Sequence, residues 1–267
     1  MDPSYEEGIR NSVREAVERF AREFTARHLA EIDNPEGTIN SKVNNVFIAA
    51  LGNEVQFYSA LVRSLDSSMG NFIESLALQL AEKHFLVTRD VEGMLYAEQT
   101  SAIARLLEEY KSRRRKPEED DYKELRDMTS GSGHAKVHNS DYVLQHRKTG
   151  NFSLIELKFG GDLDNKKARS EKEALLEQYC ILSNREGSDV PIALHFATGY
   201  NRYGEGEPWR QERVKMFFSE QELLISKDFW NFIIQDQDGF DVLIDEYRKC
   251  APLITESLDL LKEKYVK

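Results

Sequence analysis

Three charged side chains, Asp141, Glu156 and Lys158, are spaced along the sequence in a pattern that suits metal-dependent hydrolysis. Glu156 and Lys158 lie two residues apart in NFSLIELKF, a segment typical of a strand, so both side chains are expected on one face of it. Asp141 begins the preceding strand-like segment, DYVLQHR, and the KTGN between the two segments is typical of a hairpin turn. The hairpin should therefore bring the three charges together.

Two carboxylates, together with water and a phosphate oxygen, form the hard oxygen shell that magnesium prefers. Asp141 and Glu156 are the predicted metal ligands, and the backbone carbonyl of Leu157 is a candidate further ligand. A lysine beside them could orient or deprotonate the attacking water and offset negative charge on a phosphate. The chemistry indicated is hydrolysis of a phosphodiester with Mg²⁺.

A charged pair at this spacing more often marks a solvated strand face. Here the pair is surrounded by apolar side chains, namely Leu154, Ile155, Leu157 and Phe159. We therefore expect the strand to be largely buried, with Leu157 pointing into the core. Charges among buried aliphatic groups need a metal or partners to offset their lost hydration, which favours catalysis over the solvated face.

The elements before the hairpin are predicted from hydrophobic spacing. The first hundred residues show apolar positions three to four apart and are predicted to be almost entirely helical, with a break or a kink at 67–71. A further helix is predicted near 100–115. Residues 129–140 are rich in glycine and serine and are predicted to be a loop.

The elements after the hairpin complete a predicted sheet. Residues 160–170 are predicted to be a polar loop, and a helix then begins with Ser170 as N-cap. A third strand follows at 190–200, buried on both faces, and the remaining segments from 218 onwards are predicted to be helical. This order predicts an α/β (α+β) fold with a mixed central sheet flanked by helices. We predict a helical N-terminal region, 1–128, and a core, 129–267, in one compact arrangement.

Composition restricts the class of protein further. No segment approaches the roughly 20 apolar residues that cross a bilayer, and the first residues lack the apolar centre of a signal peptide, so a cytoplasmic protein without a membrane partner is expected. Cys180 and Cys250 have no partner at zinc-binding spacing and are predicted to be buried thiols. The net charge of −11 argues against nucleic acid as a partner, but an acidic protein can carry a locally basic cleft.

The segment SDYVLQHRKTGNFSLIELK, 140–158, resembles the D…ExK core of the PD-(D/E)XK nuclease superfamily, with Ser140 where the superfamily's name has proline. Three further segments are similar, in the same order, to segments of the TdeIII-like family of type II restriction endonucleases: Ser64–Glu74, Gly199–Trp209 and Asp228–Ile233. The resemblance extends from about residue 45 to the C-terminus. That family tends to have Asn-Pro-Tyr-Gly where this chain has Asn-Arg-Tyr-Gly at 201–204.

The resemblance implies a restriction-endonuclease-like core with Asp141, Glu156 and Lys158 as catalytic residues. It also implies a homodimer that cuts both strands of double-stranded DNA at a short palindromic site with Mg²⁺, and it suggests a GGNCC-like target. Other enzymes of that superfamily use an acidic residue from an earlier helix, which makes Glu74 a candidate for metal support. An ordinary solvated glutamate fits the sequence as well.

Several further side chains are candidates for support or for DNA contact. Gln178 could hold a water or a phosphate near the metal, although an ordinary surface glutamine is the more usual interpretation of such a helical position. In one loop, the candidates for contacts with the phosphate backbone are Lys166, Lys167 and Arg169. In another loop, the candidates for contacts with bases are Asn201, Arg202 and Tyr203. Plain solvated loops could have the same sequences.

Three other functions remain open at this point. A repair or defence nuclease with the same core would read DNA structure instead of sequence. A non-catalytic DNA-binding module on a decayed nuclease scaffold would have lost some of the three charges, which are all present here. A helical scaffold protein would leave the charged strand unexplained.

Overall fold

The computed structural model describes residues 1–160, 163–187 and 189–266. Contacts divide it into two units, Met1–Gln79 with Asp236–Lys267, and Leu80–Gln235. These bounds differ from the predicted boundary at residue 128, and the division into a helical region and a core stays a prediction. No helix among the described residues has an apolar stretch long enough for a membrane crossing.

The first unit consists of helices: α1 (Pro3–Ala30), α2 (Val46–Ala49), most of α3 (Asn53–Ala81) and, after the second unit, α8 (Gly239–Tyr265). A 3₁₀ turn, Asn40–Asn44, precedes α2. Asp2 caps α1 by accepting hydrogen bonds from the Ser4 and Tyr5 amides at 3.0 and 3.1 Å. Arg14 of α1 pairs with the buried Glu246 of α8 at 2.8 Å, and this ion pair links the two helices.

Residues 67–71 do not break the helix, because α3 continues through them, and a kink at this place stays a prediction. The Ser68 hydroxyl donates to the Ser64 carbonyl one turn earlier at 2.7 Å, so this serine is satisfied within the helix. Gly70 costs some helix propensity, but the packing of apolar neighbours such as Phe72 and Leu76 outweighs it.

The second unit contains a five-stranded sheet in the order of the sequence. The strands are β1 (Phe85–Tyr96), β2 (Gly133–His146), β3 (Phe152–Lys158), β4 (Ile192–Thr198) and β5 (Leu223–Ile225). β2 is antiparallel to β1 and to β3, whereas β4 is parallel to β3 and to β5. The helices of the unit are α4 (Ala97–Lys111), α5 (Asn165–Glu186), α6 (Glu212–Lys215) and α7 (Lys227–Ile234), with 3₁₀ turns at Glu119–Asp127 and Glu220–Glu222.

Helices cover both faces of this sheet. Leu154 of β3 and Leu194 of β4 pack under α4 and α5 in one continuous apolar core. On the opposite face, Phe232 of α7 lies 5.7 Å from the Phe85 ring and 5.4 Å from the His195 ring. The predicted α/β class, with a mixed central sheet flanked by helices, is confirmed.

Two strands lie where the sequence predicted other structure. β1 falls within the first hundred residues, which were predicted to be helical, and β2 begins inside the predicted loop 129–140. Both errors have one cause, since β1 and β2 pair from Tyr96↔Gly133 to Phe85↔His146 and this pairing satisfies the backbone of both. A Cβ atom at Gly133 would lie 2.8 Å from Cε of the flexible Met94 side chain and 3.0 Å from Tyr96 Cε1, so a larger residue there would displace the Met94 side chain.

The elements after the hairpin need two corrections. Helix α5 begins at Asn165 and not at Ser170, because Asp164 is the N-cap and accepts from the Lys167 amide at 2.8 Å. Two residues of the predicted loop, 161 and 162, lie outside the described residues. Part of the segment after 218 is the short strand β5, not a helix. The third strand and the C-terminal helix are confirmed.

Candidate active site

The β2–β3 hairpin places the two predicted carboxylates opposite each other. Tyr142 pairs with Ile155, so the adjacent Asp141 and Glu156 face one another across the hairpin. Asp141 lies inside β2 and does not begin the strand as predicted. Its Oδ2 accepts a hydrogen bond from the Leu157 amide at 2.8 Å, which ties the Asp141 carboxylate to the backbone between Glu156 and Lys158.

Lys158 joins the carboxylates as predicted from its spacing. Its Nζ contacts Glu156 Oε1 directly, and it also lies 3.2 Å from Oε1 of Glu171 on α5. Glu156 is only 8% exposed, so its carboxylate is largely shielded from water. Leu157 is half-buried, which corrects the expectation that it points fully into the core. The hairpin thus brings the predicted Asp, Glu and Lys into one cluster.

The electrostatics of this cluster suit a cation. Burial, and next the nearby Asp141 carboxylate, raise the pKa of Glu156 to about 8. Burial acts to lower the pKa of Lys158, but the Glu156 and Glu171 carboxylates outweigh it and raise this pKa above its usual range. A divalent cation between Asp141 and Glu156 would relieve their repulsion and favour the ionised form of both.

The donor set also fits magnesium. Two carboxylates with room for water and a phosphate oxygen are typical of protein magnesium sites, which keep several waters. The residues that the structure describes contain no group of three or more His, Cys, Asp or Glu side chains arranged for a metal ion. Asp141 and Glu156 stay the predicted metal ligands, and the carbonyl of Leu157 stays a predicted further ligand.

An irregularity in β2 shapes the face on which the cluster lies. The register with β1 shifts between Thr88 and Asp90. His138 pairs with Val91 and Val143 with Thr88, and both Val91 and Val143 lie in the core under α5. Positions 138 and 143 differ by an odd number, yet both residues face α5, so β2 changes its alternation between them, as at a β-bulge. His138 and Asp141 therefore come to the face that α5 covers.

Charged residues of α5 and β2 also meet on the face of the sheet that α5 covers, and they were not among the predicted site residues. Glu177 of α5 lies 2.6 Å from Lys136 and 2.7 Å from His138, both on β2. Glu171 holds Lys158, as described above. A signal was available, because charged side chains occur among the apolar positions that α5 buries. Which strand they would meet depends on the fold and not on the local sequence.

Gln178 was predicted as a support and lies on α5 seven residues after Glu171, hence on the same helix face. Its side chain is buried, which excludes the alternative of an ordinary surface glutamine. Its Oε1 has no hydrogen-bond partner among the described residues. Such a buried acceptor is usually satisfied by a water or a ligand, so Gln178 remains a candidate to hold one.

The predicted backbone-contacting residues lie in the first turns of α5. Lys166 and Lys167 are exposed, and Lys167 is one turn before Glu171. Arg169 is half-buried and lies 3.5 Å from Glu173. These cations stand at the end of α5 that approaches Lys158, and their contact with phosphates stays a prediction.

The predicted base-reading loop follows β4. Asn201 donates to the Glu207 carbonyl at 2.6 Å and accepts from the Tyr203 amide at 3.0 Å, so its amide group maintains the loop. The Tyr203 hydroxyl accepts from Gln211 at 3.1 Å. Arg202 is exposed. Of the three, Arg202 is the side chain that the loop presents to solvent.

Two other predictions concern residues away from the hairpin. Glu74 is half-buried on α3 in the first unit, whereas the hairpin belongs to the second, and its support of the metal stays a prediction. Cys180 and Cys250 are buried free thiols, as predicted.

The hairpin and its flanked sheet define a candidate phosphodiester-cleaving enzyme of the α/β class. A family model described as "Type II restriction endonuclease, HinfI" matches residues 6–251. The match covers most of the chain, including the hairpin and α5, and the chain belongs to this family of DNA-cleaving hydrolases. No curated protein and no solved structure matches it. The resemblance to type II restriction endonucleases is confirmed at this level.

Proposed function

We propose that this protein is a Mg²⁺-dependent type II restriction endonuclease of the PD-(D/E)XK superfamily, related to the TdeIII-like enzymes, that cuts double-stranded DNA at a short palindromic site. The observation that carries the proposal is the pairing of Asp141 and Glu156 across one hairpin with Lys158 in contact with Glu156. The family match supports DNA as the substrate. Cutting both strands of a palindrome requires two such sites, which favours a homodimer.

Asp141 and Glu156 would hold the magnesium ion. When bound, magnesium supplies Lewis acidity at the phosphate and lowers the pKa of a coordinated water. The amide of Leu157 fixes the orientation of the Asp141 carboxylate, and Lys158, held between Glu156 and Glu171, presents its ammonium group beside them. That group orients the attacking water and offsets charge as the bond to the leaving oxygen breaks.

DNA would reach the site along locally basic surface. Lys166, Lys167 and Arg169 stand at the start of α5 and would contact backbone phosphates. Arg202 would read a base edge, since the guanidinium fork matches guanine in the major groove, with Asn201 and Tyr203 shaping its loop. The chain's net charge of −11 lowers long-range attraction without preventing these local contacts.

The test is incubation of the full chain with phage DNA and Mg²⁺, followed by sequencing of the fragment ends. Discrete fragments with a common end sequence are expected, and the ends report whether the target is GGNCC-like. Smearing, or cutting at junctions alone, would instead support a structure-specific nuclease with the same core. Binding without cleavage would support a non-catalytic DNA-binding module.

Variants assign the activity to the hairpin. We expect Glu156→Ala to lower the cleavage rate at least a thousandfold, since it removes a metal ligand. Glu108→Ala is the matched control, because Glu108 is an exposed glutamate on α4 of the same unit, and its rate should stay within twofold of the wild type. Cleavage by Glu156→Ala at the wild-type rate would overturn the assignment of the site.

A further inference from the structure

An exposed apolar stripe runs along α2 and the first half of α3 in the first unit. Its members are Val46, Phe47, Leu51, Val55, Tyr58 and Val62. Phe47 is 83% exposed, Val46 68% and Leu51 63%. Val55, Tyr58 and Val62 follow each other at helical spacing and so share one face of α3. Scattered exposed apolar residues need no explanation, but a continuous row of this kind does.

The opposite side of α3 already forms a core. Phe57, Ala60 and Leu61 are buried against Phe24 and Leu261 of the same unit. The first half of α3 is therefore apolar on both sides. A helix that is apolar all round is normally buried all round, so the exposed side lacks the cover that its composition favours.

Charge is almost absent from this surface. Between residues 43 and 62 the only charged residue is Glu54, whereas 31% of the whole chain is charged. Glu54 itself lies 3.8 Å from Lys262 of α8, and Lys262 Nζ also lies 5.5 Å from the Tyr58 ring. The stripe thus has an uncharged centre with an ion pair at its margin, which is the composition of a protein interface.

We propose that this stripe is the surface through which two copies of the chain associate. Each copy carries a net charge of −11, and an uncharged surface is where two such chains approach with least repulsion. A nucleic acid does not fit, because phosphates need cations and this segment has none. The need for two hairpins to cut two strands agrees with this, and that part alone rests on the proposed function.

The size and pattern of the stripe suit a twofold pair. With about 150–250 Å² for each aromatic ring and less for each aliphatic group, the exposed members offer on the order of 600 Å². A standard interface takes about 800 Å² per partner, including its rim. Val55 is at the centre of the stripe, so antiparallel pairing about it places Phe47 and Leu51 of one copy against Tyr58 and Val62 of the other.

Analytical ultracentrifugation of the full chain, without DNA and without metal, tests the proposal. We expect a concentration-dependent dimer. Val55→Glu and Val55→Lys should each raise the dimer dissociation constant at least a hundredfold, because each copy would bury an unpaired charge against a like charge. An equimolar mixture of the two variants should restore the dimer, since opposite charges then meet at the twofold axis.

Leu86→Glu is the matched control, because Leu86 is an exposed leucine on β1 in the other unit, and its dimer should be unchanged. Circular dichroism confirms that each variant is folded. A monomeric wild type, an unaffected Val55→Glu dimer or open-ended oligomers would each overturn the proposal. A dimer that fails to cleave DNA would refute the proposed function but not the proposed dimer surface. A monomer that cleaves DNA would refute the dimer surface but not DNA cleavage.

Discussion

Replacing Glu171 by Gln should slow DNA cleavage without weakening DNA binding. Glu171 Oε1 lies 3.2 Å from Lys158 Nζ, and the two side chains are 24% and 31% exposed. At this distance and an effective dielectric constant of about 20, the Coulomb attraction is about 5 kcal/mol. Solvent screening and the remaining Glu156 contact reduce the net loss to about 1 kcal/mol, or five- to tenfold in rate.

Glu171 is proposed as a positioning residue, so the measurements must distinguish an effect on the position of Lys158 from an effect on stability. Single-turnover cleavage of a plasmid with Mg²⁺ gives the rate, and a binding assay in Ca²⁺ gives the affinity for DNA. We expect a lower kcat, an unchanged KM and an unchanged melting temperature for Glu171→Gln. Glu171→Asp should restore part of the rate, because it keeps the charge on a shorter side chain.

The control for Glu171→Gln is Glu108→Gln, because Glu108 is an exposed glutamate on α4 in the same unit. A Glu171→Gln rate within twofold of the wild type would refute a positioning role for Glu171. That role would also be refuted if the loss of rate followed a loss of melting temperature, because Glu171 would then act on stability alone.

Three further predictions concern stability and specificity. The pKa of Glu156 is raised to about 8, so the folded chain holds this proton more tightly than the unfolded chain does. In the absence of metal, the free energy of unfolding should therefore decrease as the pH rises from about 4.5 to about 8. Urea titrations should show this decrease, and Glu156→Gln should remove it. Lys172 and Glu222 form an ion pair with both side chains buried. Lys172→Met should therefore lower the free energy of unfolding in urea by about 3–5 kcal/mol, because it leaves the Glu222 charge unpaired. The double variant Lys172→Met, Glu222→Leu should recover most of this loss. A double variant as unstable as the single one would contradict this. Arg202→Ala should cost about 1–3 kcal/mol in binding to the cognate duplex and much less on random DNA, and an equal loss on both would exclude base reading.

The hairpin was predictable because its information is local. Strand alternation and a turn place Glu156 and Lys158 on one face, and the partner strand follows from adjacency in sequence. By contrast, the contacts of Glu171 and Glu177 join α5 to β3 and to β2, and depend on how the helix crosses the sheet. No periodicity within α5 encodes that crossing.

Strand β1 was missed for a related reason. It is an edge strand, paired only with β2, and its central residues, Thr88, Arg89 and Asp90, are polar and largely exposed. Such residues weaken the alternation of apolar and polar positions by which strands are recognised, and polar edges are how proteins avoid further pairing. Only the non-local pairing with β2 makes this segment a strand.

The composition of residues 129–140 was misleading in an informative way. Glycine, serine and asparagine indicated a loop, yet β2 runs through most of this segment and contains the irregularity before Asp141. Bulges are common beside active sites because they redirect a side chain without ending the strand. Here the irregularity brings His138, which contacts Glu177, and Asp141, which faces Glu156, onto the same side of the sheet. The residues that seemed unable to form a packed element are therefore the ones that let β2 serve both α5 and the proposed metal site.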